Sequence, residues 1–177
     1  MEGSSEDARE RLHEVADLYR RSWEASPPRS YGRLVGMLKA AVLAGEPASA
    51  AAEVRRAIGD EADSPSSWYA LALAALALRD DELARRAAAG IRGGSEAFDR
   101  TADAVAAIAD GDGARYGAAL RAIVADFEAR SEHLTGVAIA DTALVLQRLA
   151  AERGLGEALE SSVLPGGKAG GQGLEPR

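Results

Sequence analysis

Alanine-rich apolar stretches in this chain are broken at Gly45-Glu46-Pro47, at Asp80-Asp81 and at Gly111-Asp112-Gly113, and each then resumes as a second such stretch. Asp81 and Asp112 stand 31 residues apart, and the first break lies about one repeat earlier. A period of this size marks stacked helical hairpins, because one hairpin cannot bury its apolar face alone. Alanine supplies 40 of the 177 residues, against 8 for Phe, Trp and Tyr together. Alanine loses no side-chain entropy in a helix and lets helix axes approach closely. These features predict an all-α chain of about eight helices, an array of antiparallel hairpins forming one domain over residues 1–165. The remainder, 166–177, is Gly-rich and polar, a composition that cannot offset the entropy of ordering, and is expected to be a disordered tail.

The local signals place the elements. A first helix is expected over about Ser5 to Ala25, with Leu12, Val15, Tyr19 and Trp23 on one stripe and Pro27-Pro28 as the stop. A second should run from about Ser30 to Ala44 and end at Gly45, and a third from Pro47 to near Gly59. Ser64-Pro65 opens a fourth, carrying Trp68, Leu71, Ala72, Ala75 and Leu78. Asp81 is read as the cap of a fifth and Ser95 as the cap of a sixth. The Gly111-Asp112-Gly113 turn leads to a seventh with Tyr116, Leu120, Ile123, Val124 and Phe127. A polar interval near Ser131 to Gly136 precedes an eighth ending at Arg153-Gly154, and a short helical piece is expected at Glu157 to Ser161. The second helix pairs with the third, the fourth with the fifth and the sixth with the seventh. The first packs across this array, and the eighth caps it.

Several classes of function recede at this point. With no cysteine there is neither a thiolate nucleophile nor a thiolate metal site. The acidic start, Met-Glu-Gly-Ser-Ser-Glu-Asp, is unlike a basic-then-apolar signal peptide. The longest apolar run, Trp68 to Leu78, has about 11 residues where roughly 20 are needed to span a bilayer. A cytoplasmic protein without membrane contact is the expectation. A formal net charge of −7 argues against nucleic acid as a partner, since phosphate contacts need concentrated Lys and Arg.

Few residues suggest chemistry. Glu10-x-x-His13 has the spacing of half a carboxylate-bridged di-iron site, but no second copy exists, so no metal is expected. Glu128 and Glu132 share a helix face beside His133 and repel one another unless a positive group intervenes. Asp141-Thr142 stands in the apolar run Val137 to Leu146, and a carboxylate there must face water, cap a backbone or meet an Arg. It is read as bracing a helix start or, alternatively, as part of a polar pocket with Thr142 and Tyr116. No Gly-framed serine, phosphate loop or H-E-x-x-H is present. Neither a catalytic set nor a cofactor is predicted.

Trp68, Leu71 and Ala72, then Ala84 and Ala88, fall near the large and small positions of the tetratricopeptide repeat. Over residues 30 to 130 the chain resembles that repeat in architecture, short of membership. Leu149-Ala-Ala-Glu-Arg-Gly-Leu followed by Glu160-Ser-Ser-Val-Leu-Pro165 resembles the C-terminal portion of the all-helical immunity-protein family numbered forty-nine, found beside bacterial polymorphic toxins. The stretch Trp68 to Arg79 is similar to that family's middle. The resemblance implies a small cytoplasmic protein that binds and neutralises a toxin. From the residues themselves, a non-catalytic protein-binding module with an acidic concave surface is expected. A scaffold or assembly factor, or a ligand binder or enzyme with an interhelical pocket, stand as the alternatives. A homodimer through the first helix is a further expectation.

Overall fold

The structure, a computed structural model, describes residues 2–59, 62–130 and 139–165, with side chains from residue 6 onward. Among the described residues it is all-helical, with eight helices and no strand. They are α1 (Glu2–Glu24), α2 (Gly32–Ala44), α3 (Ala48–Ile58), α4 (Pro65–Ala77), α5 (Asp81–Ile91), α6 (Glu96–Asp110), α7 (Gly113–Glu128) and α8 (Asp141–Ala151). None is long and apolar enough to cross a membrane. The segment 166–177 lies outside the described residues.

Side chains close most of the turns. Ser64 and Ser67 form a reciprocal capping box at the start of α4, Ser95 accepts the Phe98 amide, and Asp112 accepts that of Arg115. Gly45 and Gly111, with φ of 87° and 69°, end α2 and α6 in the left-handed conformation that glycine adopts without strain. Between α4 and α5 the same role falls to Arg79, at φ 59°. The amide of the next residue, Asp80, reaches back to the Ala75 carbonyl. The cap of α5 is Asp80 rather than Asp81, its carboxylate taking the Leu83 amide at 3.1 Å. Asp81 is therefore the first helical residue and is left to pair with Arg153 at 2.9 Å.

Helix α4 forms the middle of the molecule. Every residue from Ala70 to Leu76 is fully buried, because α2, α3, α5 and α6 all pack on it. A helix covered on all sides has no polar face, which is why Trp68 to Leu78 reads as continuously apolar. The pairs α4/α5 and α6/α7 are hairpins closed by short turns, and α5 also packs closely on α6.

Two arrangements differ from the sequence reading. Helix α2 packs most extensively on α1, and its contact with α3 is slight; α3 leans on α4 instead. The reason is small residues: α3 buries only Ala50, Ala51 and Val54, whereas Gly36 of α2 lets the Tyr19 ring of α1 come down onto the helix backbone. The deeply buried contact of α1 is Ala16, so Val15, Leu18 and Tyr19 remain exposed along the outer side of the expected stripe. Helix α8 does not cap an end. It lies against α2, α6 and α7, across the surface that a row of hairpins would otherwise leave open.

The C-terminal end of α8 is fastened over α4. Arg153 donates to the Leu76 carbonyl at 2.8 Å, and Arg79 donates to the Glu152 carbonyl at 2.8 Å. Residues 155–161 form no helix, contrary to the expected short piece. They run back along the molecule, with Leu155 and Leu159 packed on the core and Glu157 paired with Arg121. The Val163 carbonyl accepts the Ala140 amide at 2.9 Å.

Candidate functional site

A pocket of about 570 Å³ opens where α2, α4, the start of α6, the end of α7 and the start of α8 meet. Its position follows from the turns. Ser95 begins α6 and Asp141 begins α8 on the same side as the end of α7, so three chain ends converge beside the flank of α4. Ala97, Phe98, Ile123, Phe127 and Ile139 give it a predominantly apolar wall. The ring of Phe98 meets that of Tyr69 edge-on at 6.1 Å between centroids.

Two charged clusters stand in this wall. On one side Lys39 of α2, its side chain only 15% exposed, donates to Asp141 Oδ2 at 3.0 Å and to Thr142 Oγ1 at 2.9 Å. Its ammonium lies 5.5 Å from the centre of the Tyr69 ring, and the Tyr69 hydroxyl sits 3.2 Å from Thr142 Oγ1. Burial pulls the Lys39 pKa down, but interactions with Tyr69 and Asp141 outweigh it, and the net displacement is upward. The cluster keeps an ammonium in place and ties the start of α8 to α2 and α4.

On the other side Asp126 of α7 bridges two arginines. Arg100 of α6 donates to Oδ1 at 2.6 Å and Arg130 donates to Oδ2 at 2.6 Å. Arg130 also lies 4.8 Å from the Phe127 ring centre. The Nε of Arg100 is buried and has no hydrogen-bond partner among the described residues. Charge-assisted pairs of this length fix orientation as well as adding energy.

The sequence candidates separate in space. Asp141 and Thr142 come together in the pocket wall. Asp141 is the first residue of α8, but its carboxylate caps no backbone amide among the described residues; it pairs with a lysine, Lys39, rather than with an arginine. Tyr116 is not in this wall. Its ring is fully buried in the core and its hydroxyl has no protein partner among the described residues. Burial, with the Glu157 charge adding to it, pushes its phenol well above the ordinary tyrosine value. Glu128 lies away from the pocket and accepts the Ser161 hydroxyl, so it pins the C-terminal segment to α7. Glu132 and His133 lie outside the described residues. Among the described residues no group of three or more His, Asp or Glu is placed to hold a metal ion, and His13 stands 3.8 Å from Glu46 on the surface.

The sequence reading missed Lys39, Tyr69 and Arg100. One signal was available for the first. Lys39 stands alone among Met37, Leu38, Ala40, Ala41 and Val42, and a lone cation in so apolar a face needs a partner as much as Asp141 does. No protein-family model, curated protein or solved structure matches this chain.

Proposed function

We propose that the protein is a non-catalytic binding module whose ligand is a small amphipathic molecule held in the interhelical pocket. The observation that carries this reading is the combination of about 570 Å³ of space, an aromatic and aliphatic wall, and two fixed charged clusters. Ligand sites have this size and this mixture of apolar surface with a few converging polar groups. Binding is favoured over catalysis because the wall's hydroxyls and carboxylates, the groups that could act as nucleophile or base, are already committed. Ser95 caps α6, the Thr101 hydroxyl donates to the Ala97 carbonyl, and both carboxylates are ion-paired. The position of α8 weighs against a long peptide lying along an open groove.

The test is thermal denaturation of the purified chain against a panel of small amphipathic compounds, with an Ala97→Phe variant that fills the pocket. At least one compound should raise the Tm of the natural chain and leave that of the variant unmoved. Shifts that survive the filled pocket, or an absence of shifts across the panel, would overturn the reading.

A second reading has its own observation. Val15, Leu18 and Tyr19 form an exposed apolar strip on α1, Leu18 being 57% exposed, and such strips mark protein contacts. A protein partner, whether a toxin, as the immunity-family resemblance implies, or a second copy of this chain, would dock there. Sedimentation of the natural chain beside Leu18→Glu, alone and with a candidate partner, tests it; identical masses in all mixtures would rule it out.

A further inference from the structure

Resting on the pocket reading, we infer that the ligand carries a single anionic head, a carboxylate or a phosphate monoester, on an apolar body, and that the head is received by Arg100 and Arg130. Three cations, Lys39, Arg100 and Arg130, line the pocket against two carboxylates, Asp126 and Asp141. This is a local excess of positive charge on a protein whose net charge is −7. Glu96 offsets it weakly: it stands 3.5 Å from Arg100, but its side chain is 91% exposed and screened by water.

The hydrogen-bond inventory points the same way. Lys39 gives two of its three protons to Asp141 and Thr142 and holds its ammonium beside the Tyr69 ring. Asp126 has an arginine on each oxygen, so it is poorly placed to accept from a ligand. A guanidinium has five N–H donors, and among the described residues of the pocket wall each of these two arginines donates a single hydrogen bond, to Asp126, while the Arg100 Nε has none. The unmet capacity is therefore donor capacity, and it calls for a ligand rich in acceptors and negatively charged. Phe98, Ile123, Phe127 and Ile139 would cover the apolar body.

Calorimetric titration with four probes sharing one chain, octanoate, octyl phosphate, octylamine and 1-octanol, tests the assignment. Octanoate or octyl phosphate should bind at least tenfold more tightly than the alcohol, and the stronger of the two identifies the head. Arg130→Gln, at the exposed end of α7, should weaken that acid about tenfold or more and leave the alcohol unchanged. Equal binding of acid and alcohol, tighter binding of the amine, or an acid affinity untouched by Arg130→Gln would overturn the anion assignment while leaving the pocket as a ligand site. Binding by none of the four would overturn both.

Discussion

Two glycines lie under aromatic rings in this fold, and the same substitution should have opposite consequences at the two. A methyl group at Gly36 of α2 would stand 2.5, 2.6 and 2.8 Å from Cε1, Cζ and Cδ1 of Tyr19. At Gly90 of α5 it would stand 2.4, 2.5 and 2.5 Å from Cδ2, Cε2 and Cγ of Trp68. Distances so short require movement, and which atoms are touched decides whether movement is easy. The Tyr19 atoms belong to the ring of a residue 38% exposed, on the edge of the molecule, so the ring swings outward at little cost. The Trp68 contact includes Cγ, one bond from Cβ. Turning the indole about its own axis leaves Cγ in place, so relief requires a new rotamer or a displacement of α4, which is packed on all sides. Replacing Gly by Ala in a helix contributes up to about 1 kcal/mol, and less at the penultimate position that Gly90 occupies. Overpacking costs about 1–3 kcal/mol. Gly36→Ala should thus lie between neutral and about 1 kcal/mol more stable, and Gly90→Ala should be about 1–2 kcal/mol less stable. Urea unfolding followed by circular dichroism measures both, with an unchanged m-value as the check that neither alters the unfolded state. Adding Trp68→Leu should recover most of the Gly90→Ala loss in a double-mutant cycle. If Gly90→Ala is as stable as Gly36→Ala, the reasoning fails.

Three further outcomes follow from the contacts described. Lys39→Met should cost about 1–2 kcal/mol at neutral pH, since Asp141, 55% exposed, can rehydrate. Because the folded-state pKa of Lys39 is raised, its contribution is fully present below the unfolded value and fades as pH rises through the folded one. The gap between natural chain and variant should hold steady up to about pH 10 and narrow above it in urea titrations. Arg153→Met removes hydrogen bonds to Leu76 and Asp81 from a side chain only 9% exposed, and should cost about 1–2 kcal/mol by the same assay. Asp112→Ala loses one helix cap, worth about 1 kcal/mol, whereas Asp80→Ala removes a cap together with the 2.9 Å ion pair to Arg55 and should lower Tm further.

What could be read from the chain was whatever neighbouring residues decide among themselves. Ser64-Pro65, Ser95, Gly45 and Gly111-Asp112 act within three or four residues, and each marks a helix end close to where it was expected. The break at Asp80-Asp81 was legible, but Arg79 takes a left-handed backbone without being glycine, and the cap was expected one residue late, at Asp81 instead of Asp80. The pairing of α1 with α2 sets the Tyr19 ring over Gly36, and neither residue advertises the other. The pocket was the least legible part. Asp141 was marked by its apolar surroundings, but Lys39 is 102 residues away, and Arg100 reaches Asp126 across 26. Charge spacing along one helix says nothing of such pairs, and arginines that serve a neighbouring element look like an ordinary solvated face.

The resting place of α8 on α2 has a consequence for how the molecule comes apart. Open stacks of hairpins fray from their ends, because each unit answers only to its neighbours. Here α8 is bolted to α2, so neither of these two helices is free to melt ahead of the other. Shortening the chain before Asp141 should loosen α2 as well as the C-terminal region. Assembly must in turn close a loop of about a hundred residues before that contact rewards it, which favours late, all-or-none locking over stepwise growth.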